Sequence, residues 1–176
     1  MKGILYGIGI GPGDPEHITL KAVRMMKEVD VIAAPGTDVK ETLAYRIAVQ
    51  AVPEIEQKEM LPIDMPMTLD KEVLVKAHKH GAETIETILK EGKTIGFITL
   101  GDTTVYSTFS YLEKIVKEHG FKTVYISGIT SFCAAAATLG IPLTEWQEPL
   151  HVIPAVHQLD DKLALDGSYV LMKSGR

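Results

Sequence analysis

The sequence is poor in several residue classes, and each shortage excludes a class of protein. A single cysteine, Cys133, stands among 176 residues, which excludes an intrachain disulfide and a zinc site built from several thiolates. There is no block of lysine and arginine, and the formal net charge is −5. Nucleic acid is therefore a poor partner, because phosphate binding needs concentrated positive charge.

Long apolar runs are also missing. No apolar stretch approaches the roughly 20 residues that span a bilayer, and the N-terminus lacks the basic segment of a secretory signal. Cys133 lies in the run CAAAAT, where we expect it to be a buried packing residue. His78 and His80 are two residues apart on a predicted helix and face different directions, so we expect them to face solvent and to bind no metal. These features predict a soluble, cytoplasmic protein without a metal site.

Short apolar runs alternate with amphipathic segments along the chain. The pattern predicts strands at 4–10, 30–36, 94–102, 122–129, 150–156 and 168–174, and helices at 15–29, 41–52, 70–92, 107–120 and 131–140. Residues 58–67 contain two prolines, which exclude a central strand and predict a broken strand or a loop. Strand–helix alternation with short loops is typical of an α/β fold, with a parallel sheet covered on both faces.

The segment GIGIGPGDPEHIT at 7–19 is rich in glycine but does not fit a dinucleotide loop. Neither register of its glycines matches G-x-G-x-x-G. Pro12 and Pro15 remove two backbone N–H donors from a phosphate cradle, and the Asp14 carboxylate would repel a phosphate. Asp14 and Pro15 also suit the N-cap and first position of the next helix, which is the local structural alternative.

Two further polar loops follow predicted strands. LGDTTVYST at 100–108 carries Gly101 and Asp102, and SGITSF at 127–132 carries Thr130 and Ser131. Each loop is explained by itself as a capped turn. Open α/β sheets nevertheless bind ligands at the carboxyl ends of their strands. Three such loops together predict a ligand site. The ligand is expected to be flat, uncharged or positively charged.

GIGIGPGDPEHITLKA resembles the N-terminal signature of the tetrapyrrole methylases, the class III S-adenosylmethionine-dependent methyltransferases. LGDTTVYSTFSYL and SGITSFCAAAATLGIPLTEWQEPLHVIPA are similar to the precorrin-2 C(20)-methyltransferase branch of that family. The resemblance covers essentially the whole chain. One departure is Thr103, which stands where the family usually has proline.

The resemblance implies an α/β, two-domain tetrapyrrole methylase fold. It assigns residues 1–126 to an N-terminal domain with a mainly parallel sheet on the substrate side of a cleft. It assigns residues 127–176 to the start of a C-terminal domain with a mixed sheet on the cofactor side. Family members continue for several strands beyond the position of Arg176, so we expect that second sheet to be incomplete.

The resemblance also implies the cofactor, S-adenosyl-L-methionine, which leaves as S-adenosyl-L-homocysteine. The positions that match the family's cofactor contacts come from several loops and strands: Pro12, Leu100, Gly101, Asp102, Val105, Thr130, Ser131 and Met172. A cationic sulfonium without phosphate agrees with acidic loops that lack a phosphate cradle.

The implied reaction is methylation of a meso carbon, C-20, of precorrin-2 or cobalt-precorrin-2 in cobalamin biosynthesis. Asp14, Tyr106 and His151 are candidate acid–base groups by position. Any metal belongs to the tetrapyrrole. Lys21, Arg24 and Arg46 either meet substrate carboxylates or lie on solvated helix faces.

The resemblance also implies a homodimer. Residues 131–143 and 60–67 are candidate contact surfaces, with core packing as the alternative. Three alternatives stay open at this stage. They are methylation of another ring carbon, a diphthine synthase-type modification of a protein histidine, and a non-catalytic or dinucleotide-binding module.

Overall fold

The structure is a computed structural model and describes residues 2–155, 163 and 165–173. The chain divides into two compact units, Met1–Thr130 and Ser131–Arg176. The first unit alternates strands with helices, and the second contains one helix and two paired strands among its described residues, which confirms the predicted α/β class. No helix in the described part of the chain is both long and apolar enough to cross a membrane.

The first unit is built on a five-stranded parallel sheet in the order β3-β2-β4-β1-β5. Its strands are β1 (Ile4–Gly9), β2 (Val31–Pro35), β3 (Glu59–Ile63), β4 (Ile95–Thr99) and β5 (Lys122–Ile126). The central strands are nearly continuous apolar runs because helices cover both faces. β3 lies at an edge, where Pro62 is tolerated because one side of the strand needs no ladder hydrogen bond.

Four helices cover this sheet, two on each face. They are α1 (Leu20–Glu28), α2 (Leu43–Ala51), α3 (Lys71–Lys90) and α4 (Phe109–Glu118). α1 and α2 bury Met26 and Ile47 in one hydrophobic cluster. α3 and α4 bury Ile85 and Leu112 in a second cluster. Parallel strands connected by helices require this two-sided cover.

The helix predicted over 15–29 is interrupted in the structure. Pro15–His17 form a short 3₁₀ turn. Ile18 and Thr19 are then extended, with ψ of 124° and 147°. The Thr19 hydroxyl accepts a hydrogen bond from Ala22 N at 3.2 Å and caps α1. The prediction of one continuous helix is therefore wrong.

The apolar face predicted for the same segment is confirmed. The side chains expected on it are all 8% exposed or less: Ile18, Ala22, Met25, Met26 and Val29. Spacing alone identified the buried residues, whereas the break depends on two residues with extended backbone. Asp14 caps the 3₁₀ turn rather than α1, and its carboxylate accepts from Glu16 N at 2.9 Å.

The amino ends of the strands are connected by polar side chains. The Asp30 carboxylate accepts from the Thr94 amide and from the Thr94 hydroxyl, both at 2.7 Å. Lys58 Nζ donates to the carbonyls of Lys27 at 2.9 Å and Val29 at 2.5 Å. These bonds satisfy carbonyls at the end of α1 that have no partner within the helix.

The second unit contains α5 (Ser131–Leu139), β6 (Leu150–Pro154) and β7 (Ser168–Met172). β6 and β7 pair in parallel. The antiparallel members of a mixed sheet therefore stay a prediction. Cys133 is exposed, which corrects the expectation of burial, because α5 buries Ala134 and Ala136 instead.

We predict a small acid-dependent loss of stability from Asp30. Hydrogen bonds from Thr94 lower the pKa of this carboxyl below its usual range. Its contribution is therefore present above about pH 4, the unfolded value, and is lost as pH falls through the folded pKa. Asp30 is solvent-exposed, so Asp30→Asn should lower the free energy of unfolding at pH 7 by only about 0.5 kcal/mol.

Urea unfolding of the wild type and of Asp30→Asn between pH 7 and pH 3 measures this difference. The gap should close at the acid end. Asp64→Asn is the matched control, because Asp64 is exposed and has no hydrogen bond among the described residues. A gap that stays constant across the pH series would contradict the prediction.

Candidate functional site

Three glycine-bearing loops meet at the carboxyl end of the first unit's sheet. They follow β1, β4 and β5, which are neighbours in the order β4-β1-β5. Gly11 N donates to Gly101 O at 3.2 Å, and Gly101 N donates to Gly11 O at 2.8 Å. This pair of bonds extends the contact between β1 and β4 into their loops.

The glycines of these loops are required by contact between backbones. A Cβ on Gly9 would lie 2.6 Å from Gly128 N and 2.8 Å from Gly101 O. A Cβ on Gly128 would lie 2.1 Å from the same Gly101 oxygen. No real side chain fits at such distances, so any larger residue would force the loops apart.

Gly101 differs from Gly9 and Gly128, because the position of its absent side chain is open. Its φ of 68° lies in the left-handed region that favours glycine. The position of an added Cβ is nevertheless open, with Ile129 O at 3.8 Å as its nearest neighbour. Protein packing therefore does not fill the space beside this residue, and a ligand can approach its backbone there.

The Asp102 carboxylate connects two of the loops. Asp102 is only 8% exposed. One oxygen accepts from Gly128 N at 2.8 Å. The other accepts from Thr104 N at 2.7 Å and from the Thr104 hydroxyl. The charged group thus binds backbone N–H groups of the protein itself, which are strong charge-assisted hydrogen bonds.

Neighbouring hydroxyls strengthen the same loop, and sequence reasoning missed their role. Thr103 is fully buried, and its hydroxyl donates to Ile126 O at 3.2 Å. The Ser107 hydroxyl accepts from Phe109 N at 3.2 Å at the start of α4. The Thr103 bond ties the loop to β5. The only sequence signal for this role of Thr103 was that a polar residue lies close to the loop glycine Gly101.

Two buried polar atoms have no hydrogen-bond partner in the part of the chain that the structure describes. They are the Thr130 hydroxyl oxygen and His17 Nδ1. Buried polar groups are nearly always paired, so each atom is a candidate contact for a ligand or water. Thr130 was predicted as a cofactor contact from the sequence. His17 was not predicted as a contact, although it lies in the glycine- and proline-rich segment at 7–19.

The other predicted site residues are divided between the two units. Pro12 and Val105 are half-buried in the first unit, whereas Leu100 and Tyr106 are exposed. Ser131 begins α5, and Met172 ends β7. Both belong to the second unit.

Of the acid–base candidates, Asp14 is exposed and caps the 3₁₀ turn. Tyr106 has a left-handed φ of 49°. His151 lies in β6, stacks on Tyr169 with ring centroids 4.8 Å apart, and has Nε2 3.1 Å from the Asp166 carbonyl oxygen.

The described residues contain no cluster of three side chains that could hold a metal ion. His78 is half-buried rather than solvent-facing, since its ring stacks on Tyr111 with centroids 4.7 Å apart. Burial lowers the pKa of this imidazole.

Together these features form a rigid loop platform. Its polar side chains are largely used to hold loop to loop, and its glycine backbone is open on one side. The first loop lacks the N–H donors of Pro12 and Pro15 and carries the Asp14 carboxylate. The platform therefore suits a neutral or cationic ligand better than a phosphate.

The model of the Tetrapyrrole (Corrin/Porphyrin) Methylases matches residues 4–176. "Probable cobalt-precorrin-2 C(20)-methyltransferase" of Methanocaldococcus jannaschii is 38% identical over 97% of this chain and 72% of its own length. Precorrin-2 C(20)-methyltransferase of a Sinorhizobium species is 29% identical over 99% of this chain and 74% of its own length.

Solved structures agree on the fold. Uroporphyrin-III C-methyltransferase of Thermus thermophilus, solved with S-adenosylhomocysteine, superposes with a TM-score of 0.63 at 23% identity. The match covers 89% of this chain but 57% of that protein, so the chain spans little more than half of that structure. The family match over nearly every residue, together with this fold, shows that the chain belongs to the tetrapyrrole methylase family.

Proposed function

We propose that the chain methylates C-20 of precorrin-2 or cobalt-precorrin-2 in cobalamin biosynthesis, with S-adenosyl-L-methionine as methyl donor. The observation that carries the proposal is the 38% identity, over 97% of this chain, to the Methanocaldococcus jannaschii relative of that name. Membership of a methylase family supports the reaction type, and the relative's name supports the ring position.

Two observations support a cofactor site on this loop platform. The Thr130 hydroxyl is buried without a partner among the described residues. The space beside the Gly101 backbone is open. The residues that would hold the cofactor are those predicted from the resemblance: Pro12, Leu100, Gly101, Asp102, Val105, Thr130, Ser131 and Met172. When bound, S-adenosyl-L-methionine supplies an electrophilic methyl group.

Within this proposal the chain's own residues mainly position the reactants. The Asp102 carboxylate holds the loops after β4 and β5 together, so its role is indirect. The Gly101 backbone then presents a fixed surface to the cofactor. Such alignment is worth a large part of the barrier of a two-substrate reaction.

The group that accepts a proton from the reacting ring carbon is not identified, and Asp14, Tyr106 and His151 are the candidates. Asp14 is exposed, and one of its oxygens already accepts from Glu16 N. The His151 ring is oriented by its stacking on Tyr169. Single substitutions at these three positions, compared by kcat, separate the candidates.

We further infer a cytoplasmic homodimer. Exposed Leu139 and Ile141 support 131–143 as its contact surface. A patch of exposed apolar side chains is typical of protein–protein contacts.

The reaction is tested by anaerobic incubation of the chain with S-adenosyl-L-methionine and either precorrin-2 or its cobalt complex. We expect mass spectrometry to show one added methyl and NMR to place it at C-20. A methyl on another carbon would assign a different ring-carbon methyltransferase. No methylation despite S-adenosylhomocysteine binding would point to another acceptor, such as a protein histidine. NAD binding without S-adenosylhomocysteine binding would instead indicate a dinucleotide-binding module.

We predict that Asp102→Ala weakens S-adenosylhomocysteine binding at least tenfold. The substitution leaves the half-buried N–H of Gly128 without its acceptor, which should also cost about 1–3 kcal/mol of stability. Asp102→Asn should weaken S-adenosylhomocysteine binding less than Asp102→Ala does. Its amide oxygen can accept from one backbone N–H, whereas its NH2 group is a donor that faces the other N–H.

Calorimetry well below the melting temperature measures this affinity. Asp30→Asn is the control, since Asp30 also accepts two hydrogen bonds but lies at the opposite end of the sheet. Wild-type affinity in a folded Asp102→Ala protein would refute the positioning role.

We predict that Gly101→Val and Gly101→Asn both abolish S-adenosylhomocysteine binding, although only the first strains the backbone strongly. Asparagine tolerates a positive φ, whereas a β-branched residue does not. Thermal melting should therefore separate the two variants. If Gly101→Asn binds normally, the open space beside residue 101 is not where the cofactor lies.

A further inference from the structure

The helix α3 extends past the start of α4, the helix against which it packs. His78 of α3 stacks on Tyr111 of α4 with ring centroids 4.7 Å apart, and Glu86 Oε1 lies 2.6 Å from His119 Nδ1. Both contacts join residues 33 positions apart, so the two helices run parallel in one register. α4 begins two residues before Tyr111, whereas α3 begins seven residues before His78. The first turn of α3 therefore projects beyond α4.

This first part of α3 buries none of its side chains. All the buried residues of the helix lie between Gly81 and Leu89. Val75 is 59% exposed and Val73 is 42% exposed. Because helices in proteins gain most of their stability by packing an apolar face, exposed valines on a projecting helix indicate a surface that another molecule covers.

Four exposed side chains lie on one face of this part of α3, which we call the pairing stripe. They are Glu72, Val75, Lys76 and Lys79, at the i, i+3, i+4 and i+7 spacing of neighbours along an α-helix. Its three charged side chains have no ion-pair partner among the described residues. The stripe therefore offers charges of both signs beside an apolar side chain.

The pairing stripe is complementary to itself under two-fold symmetry. When two copies of α3 lie antiparallel with the axis between Val75 and Lys76, Glu72 of each copy lies opposite Lys79 of the other. The two Val75 side chains then meet near the axis, beside the aliphatic stems of Lys76. A ligand with charge of only one sign would be repelled by part of the stripe, whereas a second copy supplies both signs.

We propose that two copies of the chain pair through antiparallel contact of their α3 helices along the pairing stripe. The inference rests on the proposed homodimer, whose two-fold axis it assigns to α3 of the first unit, and not on the proposed reaction. The loop before α3 extends the apolar surface, because Met67 and Leu69 are exposed. Met67 also belongs to the candidate contact surface at 60–67.

The test measures the dimer dissociation constant of the full chain by sedimentation velocity. Glu72→Lys and Lys79→Glu should each raise this constant about tenfold, because each reversal acts twice in a symmetric pair. The variant that carries both reversals should return to within about threefold of the wild type, because opposite charges face each other again. Lys114→Glu and Glu118→Lys on α4 are the matched controls, since both side chains are exposed, and should leave the constant unchanged.

The expected rescue has no origin within a single helix. Glu72 and Lys79 are about two turns apart and do not contact each other. Each has an oppositely charged residue four positions further along, Lys76 and Glu83 respectively, and reversal replaces that favourable spacing with like charges. Effects within the helix would therefore make the double variant worse than either single variant.

The apolar centre of the stripe is tested by a matched pair of valines. Val75→Asp places two carboxylates near the two-fold axis and should dissociate the dimer. Val73→Asp introduces the same charge two residues earlier, on a different face of the helix, and should leave the dimer intact. Both side chains are exposed, so circular dichroism should show the helix content of the wild type in both variants.

Four results would overturn the inference. The wild type sediments as a monomer, the double charge reversal is no tighter than the single ones, or Val73→Asp and Val75→Asp weaken the dimer equally. The fourth is a dimer that Leu139→Ser with Ile141→Ser dissociates while the α3 variants do not, which would assign the contact to 131–143 alone. A dimer that passes these tests but methylates neither precorrin-2 nor its cobalt complex would refute the proposed reaction and leave this inference standing.

Discussion

The close contact between the backbones of Gly9, Gly101 and Gly128 is the constraint on which the site depends. Added Cβ atoms at Gly9 and Gly128 would lie 2.1–2.8 Å from the facing loops, so the three loops can meet only without side chains. That approach brings Gly128 N within 2.8 Å of the Asp102 carboxylate. The absence of side chains thus allows the loops to approach one another, and the charge-assisted hydrogen bonds of Asp102 then hold them together.

The sheet gives its two ends different properties. At the amino ends, charged side chains bind one another and the backbone, as Asp30 does with Thr94 and Lys93 with Glu59. At the carboxyl ends, glycine backbone and exposed leucines face outward in the described residues. Parallel strands produce this asymmetry because every connecting loop that precedes a helix lies at the same end.

Polar residues that read as ligands in the sequence often serve the protein itself. The carboxylates of Asp14 and Asp102 accept from backbone N–H groups of their own loops. Thr103 ties its loop to β5. Short polar side chains near glycines bind backbone readily, so the same residue types occur in caps and in ligand sites. The unpartnered Thr130 hydroxyl differs from them in having no such bond within the described residues.

The sequence by itself determined the elements, the parallel α/β class and the buried face of α1, because apolar periodicity and the positions of glycine and proline are local signals. Its motifs also determined the family. Only the tertiary structure decided that Ile18 and Thr19 break the first helix, that His78 stacks on Tyr111, and that Asp102 binds Gly128 across 26 residues. The last two features depend on contacts between segments distant in the chain, which no local pattern encodes.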